Sequence, residues 1–152
     1  MNTRVIKTPE LEVVLQFAKS QIEAESSDPF EAELASWKAP WRRESLEHYL
    51  SLGWSFGVWD DEQSEELKGF CLAQPLLFYQ GLTQSLWIES IVAANEQVST
   101  HLLETCYKWA RDKHLQQLVF SLDIQRWLLP ELENKSDPIQ ILSIPTAKIR
   151  KN

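Results

Sequence analysis

Apolar positions along this chain repeat with two different periods, and the places where the period changes divide it into elements. Leu11, Val14, Leu15, Ala18 and Ile22 recur at helical spacing behind Pro9, so a helix with one buried face is predicted there. A short strand at Arg4-Val5-Ile6 precedes it, and Ser26-Ser27-Asp28-Pro29 breaks it. A second helical region follows, interrupted at Ala39-Pro40. Leu46, Tyr49 and Leu50 form the apolar stripe of its later part, and Gly53 ends it. Strand-like stretches then succeed one another from Trp54 to Trp59, Leu67 to Tyr79 and about Gln84 to Val92. The acidic run Asp60 to Glu66 and the segment Gln80-Gly81-Leu82-Thr83 are the turns between them. Pro75, which has no N–H, predicts a bulge or an edge within the middle strand.

The stretch from Ser85 to Leu103 carries the most information. An apolar strand runs through a very short turn into a helix from about Asn95 to Lys113, with Val98, Leu102, Cys106, Trp109 and Ala110 on one side and Asn95 as N-cap. A helix start offers unpaired N–H groups and a positive dipole end to an anion. Yet no glycine stands in this turn to let the backbone curl around phosphates. A strand at Gln117 to Leu122 follows, parallel to its predecessor by the crossover rule. A short helix within Asp123 to Glu133 and a last strand at about Ile139 to Ile149 complete the order β-α-α-β-β-β-α-β-α-β. That order is an α+β mixed sheet flanked by helices, in one domain spanning residues 1–152.

Composition narrows the reading. An apolar content of 43% with 24% charged residues is ordinary for a globular protein. A net charge of −7 argues against a nucleic-acid-binding face, which needs a basic stripe. No stretch has the length and apolarity of a membrane span. The two cysteines, Cys71 and Cys106, make no metal spacing and read as reduced, buried thiols of a cytoplasmic protein. His48, His101 and His114 are isolated from other ligand-type residues, so no metal site is predicted.

Over roughly residues 3 to 122 the chain resembles the GNAT superfamily of N-acetyltransferases. Ala39-Pro40-Trp41 ahead of Ser45-Leu46-Glu47 is similar to the helix-opening segment of ribosomal-protein-alanine acetyltransferases. Trp87-Ile88-Glu89-Ser90-Ile91-Val92, Leu102-Leu103-Glu104, Trp109-Ala110 and Leu118-Val119-Phe120 match the family's strand-helix-strand core. The resemblance implies a fourth strand splayed from the fifth, with acetyl-CoA in the cleft. Its pantetheine would pair with strand backbone near Val92, and its pyrophosphate would sit in an Arg/Gln-x-x-Gly-x-Gly/Ala turn. The motif's positions fall on Ala94, Gln97 and Ser99, of which only Ser99 is small enough to conform. The N–H groups of Val98, Ser99 and Thr100 are what remains of the phosphate site. Loss of the others weakens binding by about a few kcal/mol.

The family's chemistry is equally thinned. The glutamate that related enzymes carry on the fifth strand aligns with Ser121, and the helix that would bear their acid tyrosine has none from Asp123 to Pro130. Glu89, in an otherwise apolar strand, is the candidate general base; its alternative is a glutamate on a solvated face or paired with a basic neighbour. Trp37 and Trp41 fall where the family lines its acceptor site, either as an aromatic wall for an amine or as helix-to-sheet packing. The expected function is a degenerate acetyltransferase-like protein, a pseudoenzyme with weak or no acetyl-CoA binding and a binding or regulatory role. The alternative is an active acyl-CoA-dependent N-acetyltransferase with Glu89 as base. Partners would be an amine-bearing protein or small molecule, another protein, or a second copy in a homodimer.

Overall fold

The computed structural model describes residues 2–26, 28–60 and 66–146. A five-stranded sheet in the order β1-β2-β3-β4-β5 is formed by β1 (Asn2–Val5), β2 (Phe56–Trp59), β3 (Leu67–Tyr79), β4 (Leu82–Ala93) and β5 (Gln117–Phe120). The first four are mutually antiparallel, and β5 joins β4 in parallel, as the crossover through a helix requires. The helices are α1 (Leu11–Glu25), α2 (Pro29–Lys38), α3 (Arg43–Ser51), α4 (Glu96–Asp112) and the single turn α5 (Pro130–Glu133).

Two apolar cores lie on the two faces of the sheet. On one, α1 and α3 contribute Leu11, Val14, Leu15, Leu46 and Leu50, which pack on Phe70 and Leu72 of β3. On the other, Val98, Leu102, Leu103 and Cys106 of α4 pack on Val58, Cys71, Leu86 and Ile88. The stripes seen at helical spacing are therefore the faces that the helices turn to the sheet. Cys71 and Cys106 meet across this second core as free, buried thiols with sulfurs 3.3 Å apart. Their hydrogen bond and burial hold the Cys106 thiol well above its usual range.

Most predicted boundaries hold within a residue or two, and the departures have local causes. Pro75 pairs with Leu86 on β4, while the pairing of β3 with β2 ends at Cys71. Pro75 thus lies where β3 is a local edge, and its missing N–H costs no ladder bond on that side. The bulge in the β3–β4 ladder falls elsewhere: Leu72 pairs with Ser90 and Ala73 with Ile88, which leaves Glu89 as the extra residue on β4. The hairpin between β3 and β4 turns on Gln80 and Gly81, both at positive φ as in a type I′ turn.

The chain after β5 departs most from expectation. A 3-10 turn at Leu122–Trp127 and α5 replace the single short helix, with Pro130 opening α5 at its first turn. The last strand predicted at Ile139 to Ile149 does not form over its described part: residues 139–146 have no regular structure and no ladder partner among the described residues. Pro138 and Pro145 bracket that stretch, and neither can donate to a ladder. Residues 147–149 lie outside the described residues.

Candidate functional site

The bulge at Glu89 decides which side chains meet. Before it, Leu86 and Ile88 face the α4 core while Trp87 faces the α1–α3 core. After it the parity has changed, with Ile91 on the α4 side and Val92 on the α1–α3 side. An extra residue in one strand produces this switch, because side chains alternate with period two. Glu89 itself projects to the α1–α3 side, toward the C-terminal half of α3.

There its Oε2 accepts two hydrogen bonds, from Tyr49 Oη at 3.0 Å and from Trp87 Nε1 at 2.6 Å. Glu89 Oε1 has no hydrogen-bond partner among the described residues. Burial, together with the charge of Glu89 and the hydrogen bond to it, pushes the Tyr49 phenol up to about 12, with the Trp87 indole acting in the opposite sense. The phenol is therefore a donor throughout the neutral range. Beside it, His48 Nε2 donates to Gln74 Oε1 at 2.6 Å, and the His48 ring stands edge-on to Tyr49 with centroids 4.9 Å apart. Gln74 and Trp87 are cross-strand partners, so the cluster is one patch of β3 and β4 roofed by α3. A carboxylate held by two donors on one oxygen, with no hydrogen-bond partner on the other among the described residues, can accept a proton or hold a cation.

Beyond Ile88 the fifth strand leaves the fourth. The pairing runs from Ser85 with Gln117 to Ile88 with Phe120, and β4 continues to Ala93 without a strand on that edge. The separation begins after Ile88, and β4 runs on alone to Ala93 before the turn into α4. In that turn Asn95 caps the helix, its Oδ1 accepting the Val98 N–H at 3.0 Å. The Ser99 N–H is donated to the Asn95 carbonyl at 3.3 Å, and the Ala94 N–H to the Lys68 carbonyl at 2.9 Å. Val98 and Ser99 are buried against the sheet, and Thr100 is half-buried one position further into the helix. Glu96 occupies the first helical position.

Trp37 and Trp41 lie apart from this cluster. They line an open groove of about 920 Å³ between α1, α2 and α3, together with Leu15, Ile22, Ala32 and Ser36. Trp41 is 5% exposed and belongs to the α1–α3 core, whereas Trp37 is 59% exposed on the groove's outer wall. Glu89 is not among the residues that line it. The sequence-predicted residues therefore fall into three places: Glu89 at the bulge, Val92 with Val98, Ser99 and Thr100 around the turn, and the two tryptophans in the groove. Tyr49, Trp87 and Gln74 are the members that sequence reasoning missed. Tyr49 sits on the buried stripe of α3 and reads as core; a hydroxyl on an apolar stripe is the one signal that it needs a partner. Among the described residues no three His, Cys, Asp or Glu side chains cluster as for a metal ion.

A mixed sheet with a bulged fourth strand, a fifth strand that parts from it and a helix opening at the parting is the GNAT acetyltransferase fold. Solved structures bear this out. The chain is similar to a GCN5-related N-acetyltransferase from Ralstonia eutropha JMP134, at 14% identity and a TM-score of 0.64 over 97% of this chain and 99% of that one. It is similar to the ribosomal-protein-alanine N-acetyltransferase of Brucella melitensis biovar Abortus 2308, at 15% and 0.61 over 97% and 100%. It also resembles a predicted acetyltransferase from Clostridium acetobutylicum solved with acetyl-CoA, at 11% and 0.61 over 95% of each chain. No protein-family model and no curated protein matches the sequence. The likeness is one of fold.

Proposed function

We propose that this chain is a single GNAT-like domain that binds acetyl-CoA weakly or not at all. It acts in binding or regulation, with the groove beside Trp37 and Trp41 receiving an amine-bearing protein or small molecule. One observation carries the reading. Of the N–H groups that the resemblance assigns to the pyrophosphate, that of Val98 is already taken by Asn95 Oδ1, and that of Ser99 belongs to the helix's own ladder, bonded to the Asn95 carbonyl. Glu96 adds a negative charge where the helix dipole would otherwise favour the phosphates. A pyrophosphate here would find no glycine in the turn and no basic or amide lead side chain at Ala94, and would meet N–H groups of Val98 and Ser99 that are already bonded.

Calorimetric titration with acetyl-CoA, paired with a thermal melt, tests this. A ligand present at about a hundred times its Kd stabilises the native state by about 2.7 kcal/mol. For a chain of this length that is roughly 5–10 °C in Tm. The expected result is no saturable heat and no shift at millimolar acetyl-CoA; saturable micromolar binding overturns the reading.

A second reading, an acyl-CoA-dependent N-acetyltransferase, has one observation in its favour. Glu89 stands where β5 leaves β4, with no hydrogen-bond partner on Oε1 among the described residues and Oε2 oriented by Tyr49 and Trp87. That is a geometry in which a carboxylate can take a proton from an ammonium group. Acetyl transfer to an amine that is lost in Glu89→Gln would establish it; turnover unchanged by that substitution would remove Glu89 from the role.

A further inference from the structure

The chain has two cysteines, and the fold brings both to one point. Cys71 lies within the sheet, paired with Phe56 of β2 on one side and Ile91 of β4 on the other. Cys106 stands four residues after Leu102 on the face that α4 turns to the sheet. They are 35 positions apart in sequence, yet their sulfurs are 3.3 Å apart and both side chains are wholly buried. Two ladders hold Cys71, and helical turns on either side hold Cys106. The contact is therefore a fixed feature of how α4 seats on β3.

A cysteine in an apolar core is ordinarily a small hydrophobe. Two in sulfur-to-sulfur contact can also be joined. A disulfide holds its sulfurs about 2.05 Å apart, so roughly 1.3 Å remains to close. Small turns of the two side chains about their Cα–Cβ bonds are the movement that closes it. While α4 is seated, nothing starts that reaction. The other buried residues of this core are apolar, with no cation among them to favour a thiolate. The hydrogen bond between the sulfurs and burial hold the Cys106 thiol well above its usual range. Such a thiol is inert, because the thiolate is the nucleophile. Lifting of α4 from the sheet, a local opening, uncovers both thiols together.

We propose that Cys71 and Cys106 form a site of oxidation by hydroperoxides, which join the two in a disulfide that pins α4 to β3. One thiolate attacks the O–O bond of the peroxide and becomes a sulfenic acid. The leaving oxygen takes up the proton that the thiol gave, and departs as an alcohol, or as water from hydrogen peroxide. The second thiolate then attacks the sulfenic sulfur, the S–S bond forms, and the hydroxyl leaves as water with the second thiol's proton. Two electrons pass from the thiol pair to the peroxide, and a dithiol reductant returns them by exchange. The bond closes a loop that contains the rest of β3, all of β4 with the bulge at Glu89, and the Asn95-capped opening of α4. Tying its ends suppresses the opening that uncovered the thiols, so the seating of α4 comes to depend on the surrounding redox state. This chemistry does not depend on whether acetyl-CoA binds.

The test treats the full native chain with hydrogen peroxide and follows it by thiol titration and mass spectrometry. The expected product has lost both thiols and about 2 Da, the mass of two hydrogens. It runs as a single chain on a non-reducing gel, yields a linked Cys71–Cys106 peptide pair on digestion, and reverts with dithiothreitol. It should melt roughly 4–16 °C above the reduced chain, because the closed loop constrains the unfolded state. Cys71→Ala and Cys106→Ala should each stop at a sulfenic acid trapped by dimedone, without the gain in Tm. The measurements on the parent chain decide the matter even where a variant folds poorly. Thiols that persist in the native chain under conditions that oxidise it in guanidinium would overturn the proposal. So would sulfinic acid, or bonds between chains, in place of the internal bond. A bonded chain that melts no higher than the reduced one would refute the pinning of α4.

Discussion

Gly69 on β3 lies directly against Val98 in the first turn of α4, and replacing it with alanine tests that approach directly. A Cβ at this position would stand 2.6 Å from Val98 Cγ1, 3.0 Å from Ala93 Cβ and 3.2 Å from Ala93 Cα. Non-bonded carbons are comfortable at roughly 3.5–4.0 Å. Val98 is 2% exposed and has nowhere to swing, while Ala93 belongs to the backbone directly paired with Gly69. Relief therefore requires the first turn of α4 to move off the sheet. Forcing one extra carbon into such packing costs about 1–3 kcal/mol. At about 2–4 °C per kcal/mol for a chain of this length, Gly69→Ala should melt roughly 2–12 °C below the parent. Scanning calorimetry on Gly69→Ala, Val98→Ala and the double variant separates the cause. Trimming Val98 removes the worst contact, so the double variant should be less destabilised than the sum by about 0.5–3 kcal/mol. An unchanged Tm for Gly69→Ala, or strict additivity in the double variant, refutes the close approach.

Other outcomes follow from the same geometry. Tyr49→Phe removes a donor to a carboxylate and should cost about 1.5–3 kcal/mol in urea denaturation. The Tyr49 phenol titrates higher in the folded chain than in the unfolded one, so its contribution is complete below about pH 10 and is lost as pH rises toward about 12. Tyr49→Phe should flatten that part of the alkaline stability profile, and an unaltered profile would contradict the assignment. Asn95→Ala removes the cap on Val98 and should cost about 1 kcal/mol by thermal melt, with no loss expected for a cap that contributes nothing. Trp41→Ala should cost about 3–5 kcal/mol, because the ring is core. Trp37→Ala should stay within about 0.5 kcal/mol on account of its exposure. Equal losses for the two tryptophans would show that the groove wall is packed rather than open.

How much of this was legible beforehand differs between elements for physical reasons. Helical spacing at Leu11, Val14, Leu15 and Ala18, and at Val98, Leu102 and Cys106, identified the buried faces of α1 and α4 because burial demands that periodicity wherever a helix meets a sheet. Asn95 was recognisable as a cap because its side chain acts on its own helix, within three residues. The parallel placement of β5 followed from the helix between it and β4, a crossover that brings the chain back to start at the same end of the sheet. The described part of the last predicted strand, residues 139–146, misled because a run of apolar residues states what a strand would bury and nothing about whether a neighbour is there to pair with it.

The site itself was legible only in part. The sequence by itself determined the order of elements as far as β5, the faces that are buried, the glycine-free turn and the single carboxylate within an apolar strand. Only the tertiary structure decided that Glu89 is the bulged residue, that Tyr49 reaches it across the roof of the sheet, and that Trp37 and Trp41 line a separate groove. The reason is one of range. Periodicity, caps and turns are written in residues a few positions apart. The bulge is a mismatch between two strands, and the Tyr49–Glu89 bond joins groups forty positions apart whose distance is set by how α3 packs on the sheet.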